Sequence, residues 1–163
     1  MPLPAPILYD PAKHAYLLAQ IALIHIRNVV EEDIIMTFAP PFSSTADGGP
    51  DPKVLTWWQK QADQVEQGSR FIVLQLDGES QHTDKAGRAT VLGTVSLAMR
   101  QSETGAMRGT VEKLIVDPGH RRRGIARQLM GKLEAEARTR GRTTLVSYAL
   151  YILGNGSATA DDL

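Results

Sequence analysis

The chain has 163 residues, 42% hydrophobic and 22% charged, with equal numbers of basic and acidic side chains and no cysteine. That length suits one domain, residues 1–163, able to bury a core without covalent staples. The lack of thiols excludes disulfides, thiolate metal sites and a cysteine nucleophile, and it fits a reducing compartment.

The opening Met-Pro-Leu-Pro-Ala-Pro has no basic lead-in, so it does not read as a signal peptide. Pro4 to Tyr9 is expected as a short strand. Asp10-Pro11 offers a cap and a first-turn proline, and Leu17, Leu18, Ile21, Ala22 and Ile24 carry one helix to about Val30. The apolar stretch from Ala15 to Ile26 is too short to span a bilayer, so no membrane association and a cytoplasmic location are expected. A loop rich in Pro, Gly and Ser follows. Asp51-Pro52 then repeats the cap signal, and Val54, Trp57, Trp58 and Ala62 predict a second helix ending at Gly68.

From Arg70 the pattern changes to strands: Phe71–Leu76, Thr90–Met99 and Arg108–Asp117, close enough in sequence to form an antiparallel meander. The polar segments between them are loops. A helix from about Gly124 to Arg140 follows, its apolar face being Ile125, Leu129, Leu133 and Ala137, with Gly141 as its C-cap. Thr143 to Ile152 is the last strand. A strand–helix–strand crossover requires it to run parallel to the strand before the helix. The order is β-α-α-β-β-β-α-β, an α/β chain with a mixed sheet, and residues 154–163 read as a flexible tail.

Net charge is zero, yet Arg108 to Arg142 holds ten basic residues against four acidic ones, balanced by an equal acidic excess elsewhere. Such a block on a neutral chain suits a small polyanion, or a solvated helix face, better than a nucleic-acid track. Its centre is a strand, the loop Asp117-Pro-Gly-His-Arg-Arg-Arg and a helix opened by Gly124. The first amides of a helix lack internal acceptors and bind phosphate, and a glycine there lets the main chain approach closely.

Arg121-x-x-Gly124-x-Ala126, set between such a strand and such a helix, resembles the R/Q-x-x-G-x-G/A signature of the GNAT N-acetyltransferases, and the surrounding segment is most similar to the tabtoxin-resistance type. The resemblance covers about Pro4 to Val146. It implies the GNAT-like fold and acetyl-CoA as cosubstrate, with the acetyl group passing to a primary amine of a small molecule or peptide. It further implies that Leu114, Ile115 and Val116 offer main-chain groups to the pantetheine arm, one of their N–H groups polarising the thioester carbonyl. Arg121, Arg122, Arg123, Gly124, Ile125, Ala126 and Arg127 would surround the pyrophosphate, mainly by main chain.

Thr110 stands where many members carry a catalytic glutamate. Glu112, two residues on and on the same face of a regular strand, is the candidate base, against the plainer reading of a solvent-facing glutamate. The family's last helix and strands, with their thiol-protonating tyrosine, have no counterpart in this sequence, and Tyr148 and Tyr151 do not match it. The last strand is therefore expected to expose an edge through Val146, Tyr148, Leu150 and Ile152 that a second copy could cover. A CoA-binding remnant or sensor, and a basic nucleic-acid module, are the competing functions. His14 and His25 read as satisfied helix residues and His120 as a turn residue, and the histidine spacing predicts no metal. Trp57 and Trp58 point about 100° apart, one to the core and the other toward an acceptor pocket.

Overall fold

The computed structural model describes residues 2–32, 37–78 and 89–147. The first strand, β1, is only Ile7–Leu8, shorter than the expected Pro4–Tyr9. Asp10 caps the next segment through its side chain, which accepts from the Ala12 amide. The single helix expected there is divided into α1 (Pro11–His14), one tighter turn (Ala15–Leu17) and α2 (Leu18–Glu32). Helix α3 (Pro52–Glu66) starts at Asp51, whose carboxylate accepts from the Lys53 amide, and ends just before Gly68.

Strands β2 (Arg70–Asp77), β3 (Thr90–Met99) and β4 (Arg108–Val116) form the antiparallel meander, and β1 adds antiparallel to the outer edge of β2. Helix α4 (Ile125–Thr139) returns the chain so that β5 (Thr144–Ser147) pairs parallel with β4, over Arg108–Val111. Sheet order is thus β1-β2-β3-β4-β5. The remainder of the expected last strand, with Tyr148, Leu150, Tyr151 and Ile152, and the tail 154–163 lie outside the described residues.

Period-two alternation divides β2 between two cores. Ile72, Leu74 and Leu76 face α2 and α3, packing with Leu17, Ile21, Val54 and Trp58. Phe71 and Val73 face the other way, onto Ile125, Leu129, Leu133 and Ala137 of α4. These four are the helix stripe expected from spacing, and all are buried. Gly93 in β3 permits the close fit of α4. A Cβ there would lie 3.0 Å from the Ile115 carbonyl and 3.1 Å from both Ile125 and Leu129. The sheet is therefore sandwiched between α2/α3 and α4, and the start of α4 sits beside the end of β4. No helix among the described residues is long and apolar enough to cross a membrane.

Candidate active site

Helix α4 opens at Gly124, whose φ of 75° and ψ of 11° put it in the left-handed region, and no side chain caps the helix. Arg122, two residues earlier, is also left-handed (φ 61°). The first amides of α4 therefore lie at the positive end of the helix dipole with no side-chain acceptor among the described residues. Successive main-chain amides in such a turn form a concavity suited to an anion. Gly124 is exposed, and added bulk at its Cβ would meet open space. The residues present fit a diphosphate.

The basic block resolves into paired and unpaired charges. Lys132 and Arg140 pair with Glu136, and Arg138 with Glu134. Arg142 donates to the carbonyls of Arg100, Gly105 and Arg108. Arg121 is engaged by α2: its guanidinium donates to Glu32 and, at 2.7 Å, to Asn28 Oδ1. Arg122, Arg123 and Arg127 remain exposed and have no ion pair among the described residues. Free positive charge is thus gathered at the start of α4, a compact patch rather than a track.

Helix α2 clamps this turn at three points. Arg27 pairs with the buried Asp117, whose other oxygen meets His120 Nδ1. Asn28 Nδ2 donates to the Val116 carbonyl at 3.1 Å. Glu32 holds Arg121. His120 thereby has a turn-closing role, in the short turn Pro118–His120. Sequence reading missed Arg27, Asn28 and Glu32. Their only signal was a polar end on an otherwise apolar helix.

Strand β4 is not regular. Ser96 lies opposite Glu112 and Thr94 opposite Ile115, so one residue of β3, Val95, faces two of β4, Lys113 and Leu114. This is a β-bulge, and Lys113 within it has φ 54°, a left-handed conformation strained for any side chain but glycine. Leu114 is exposed, Ile115 is buried against α2 and α3, and Val116 is half-buried. Among the described residues β5 reaches only as far as Val111, which leaves the outer edge of Glu112–Val116 without a strand neighbour. The Val116 carbonyl is the exception, since Asn28 already engages it.

Thr110 and Glu112 precede the bulge, opposite Ala98 and Ser96, and so share a face, as expected. Glu112 is half-buried and accepts from Arg70 Nη1 at 2.8 Å. Arg70 is itself buried, held by Gln64 and Ser96, a partner that sequence reading placed only as the start of a strand. Lys113 emerges on the α2/α3 side, its Nζ 5.3 Å from the centroid of the Trp57 ring. Burial lowers the Lys113 pKa below the usual lysine value; Glu112 acts against the shift and Arg70 with it. Trp58 is fully buried and its Nε1 donates to His25 Nδ1, while Trp57 stays half-buried with Phe38 edge-on to it. His14 accepts from the Asp10 amide, so both helix histidines are satisfied.

A model of the acetyltransferase (GNAT) family matches residues 32–154. A search of curated proteins gives no match. Among solved structures, a GNAT family acetyltransferase from Staphylococcus aureus superposes with TM-score 0.58 at 17% identity, over 88% of this chain and 98% of that one. An acetyltransferase from Clostridium acetobutylicum, solved with acetyl-CoA, gives 0.56 at 14% identity over 88% and 79%. One from Salmonella typhimurium, with its cofactor acetyl-CoA, gives 0.51 at 17% over 87% and 67%. These likenesses establish the fold, and the family match spans the bulged strand, the uncapped turn and the helix behind it. The chain belongs to the GNAT acetyltransferase family.

Proposed function

We propose that this chain transfers an acetyl group from acetyl-CoA to a primary amine of a small molecule or peptide. The observation that carries the reading is the uncapped, left-handed start of α4 directly after a strand whose outer edge has no strand neighbour beyond Val111 among the described residues. Bound acetyl-CoA supplies an acetyl group already activated as a thioester. The amides of Gly124, Ile125, Ala126 and Arg127 hold the diphosphate, with Arg122 and Arg123 adding charge. Main-chain groups of Leu114 and Ile115, with the Val116 amide, align the arm as an added strand would, and one N–H at the bulge polarises the acyl carbonyl.

Glu112 receives the proton of the attacking amine, directly or through water, while Arg70 fixes the orientation of its carboxylate. The pairing of Glu112 with Arg70 also favours a second reading, coenzyme binding without turnover. Calorimetric titration with CoA, followed by thiol release across a panel of amines, separates the two. Binding with amine-dependent release supports transfer, binding alone supports the second reading, and no binding overturns both.

A further inference from the structure

The face of the sheet toward α2 and α3 presents three charged side chains around the β4 bulge: Arg70, Glu112 and Lys113. Arg70 and Glu112 cancel, being paired at 2.8 Å. Lys113 has no ion pair among the described residues, so the cluster carries a net positive charge in a half-buried setting. Trp57 positions the ammonium through its ring face without neutralising it. The neighbouring wall is apolar, with Phe38 against Trp57 and His25 against both. A left-handed position at a bulge is one where glycine would be free of strain, yet a long cationic side chain is held there.

We infer that Lys113 selects the acceptor, pairing with a carboxylate carried by the same molecule as the reacting amine, so that amino acids are preferred over plain amines and polycations. The inference rests on the proposed function, which gives the adjoining Leu114–Val116 segment to the acyl arm. A carboxylate at Lys113 completes the cluster's charge, and a second cation there is repelled. Burial is the main cause of the lowered Lys113 pKa, and a carboxylate beside the ammonium would oppose it, as Glu112 already does. Trp57 and Phe38 then offer apolar surface to the rest of the acceptor.

The test uses the full chain with acetyl-CoA and a panel of α-amino acids, their amides and their decarboxylated amines. Steady-state kinetics give kcat and KM, and calorimetry on the CoA-bound protein compares N-acetyl amino acids with N-acetyl amino-acid amides. Acids are expected to exceed amides in kcat/KM by about tenfold or more, the size of one charge-assisted contact, chiefly through KM. Lys113→Met should collapse that preference in both measurements. Lys113→Gly, which relieves the backbone strain, should do the same in a protein at least as stable. Equal use of amides or plain amines overturns the inference, as does a preference that survives both variants or a panel with no turnover. Titration with CoA distinguishes the two levels: without CoA binding the proposed function itself fails, whereas intact binding with no acid preference removes only the role of Lys113.

Discussion

Replacing Gly124 by alanine tests directly the proposal that the turn before α4 binds phosphate. Gly124 sits at φ 75°, and a Cβ there would meet nothing within 4 Å, so the substitution adds backbone strain and no collision. A left-handed L-residue costs roughly 1–2 kcal/mol. Removing glycine's freedom from the unfolded chain returns about 0.4–1 kcal/mol, for a net destabilisation of about 1 kcal/mol. At this chain length that corresponds to a fall in Tm of about 2–4 °C. Where the free protein escapes the strain by relaxing the turn, ligand binding must impose it again, and CoA affinity falls by about 5–30-fold for the same 1–2 kcal/mol.

Stability from urea unfolding and affinity from calorimetry therefore share one quantity, and a small loss in the first implies a larger loss in the second. Gly131→Ala is the control. It lies within α4 with open space at its Cβ, and it should stabilise by about 0.5–1 kcal/mol without touching CoA affinity. If Gly124→Ala leaves both stability and affinity at the parental values, the amides of α4 are not what holds the coenzyme.

Glu112→Gln should lower the rate of acetyl transfer by about 10²-fold or more while CoA affinity is retained, and undiminished turnover would show that another group takes the proton. Glu112→Ala strips the buried Arg70 of its anion and should cost about 2 kcal/mol in urea unfolding, partly restored by Gln. Arg123→Met should weaken CoA by about 2–5-fold at low salt, and Arg121→Met by less, because Arg121 is engaged by Glu32 and Asn28; calorimetry at two salt concentrations checks the order. Tyr9 is buried, its hydroxyl has no hydrogen-bond partner among the described residues, and burial, with Glu66, Asp10 and Asp63 nearby, pushes its pKa up to about 12. The folded protein thus resists ionisation that the unfolded chain undergoes near pH 10. Stability should be full below pH 10 and fall by about 2–3 kcal/mol as pH rises toward 12. Tyr9→Phe should abolish this decline and be neutral to about 1 kcal/mol stabilising near pH 7, read by denaturant unfolding at several pH values.

Local signals carried most of the architecture. Asp10 and Asp51 cap as their sequence context requires, and the Ile125–Ala137 stripe follows from spacing alone. The parallel β5 follows from the crossover rule, and the open turn from a glycine at a strand-to-helix junction. The bulge was not legible, because a period-two reading assumes one residue per step and Lys113 carries no sign of its left-handed backbone. The break at Ala15–Leu17 escaped for a similar reason: apolar spacing does not separate one tight turn from the helix around it. Arg70 reads as a strand's polar start and becomes a buried cation only because Glu112, 42 residues later, meets it. Likewise Arg27 and Asn28 gain their roles from partners about ninety residues away.

Those long-range contacts account for an oddity within α2. Its last turn contains Glu31 and Glu32 and no basic residue, the wrong charge for the negative end of a helix dipole. Arg27 offsets Glu31 within the helix, whereas among the described residues Glu32 finds its cation in Arg121. A helix that breaks a local rule and is corrected from another segment ties the two together. Here the end of α2 is favourable only when the turn before α4 is folded against it, and that turn is anchored at Asp117, Val116 and Arg121 only when α2 is in place. The same helix carries His25, the acceptor for Trp58, whose neighbour Trp57 supports Lys113. One helix therefore positions both the turn before α4 and the aromatic wall beside Lys113. Because Arg121 is engaged at the end of α2, Arg122 and Arg123 are the loop arginines left without an ion pair among the described residues, and it is on them and on the amides of α4 that the proposed function relies.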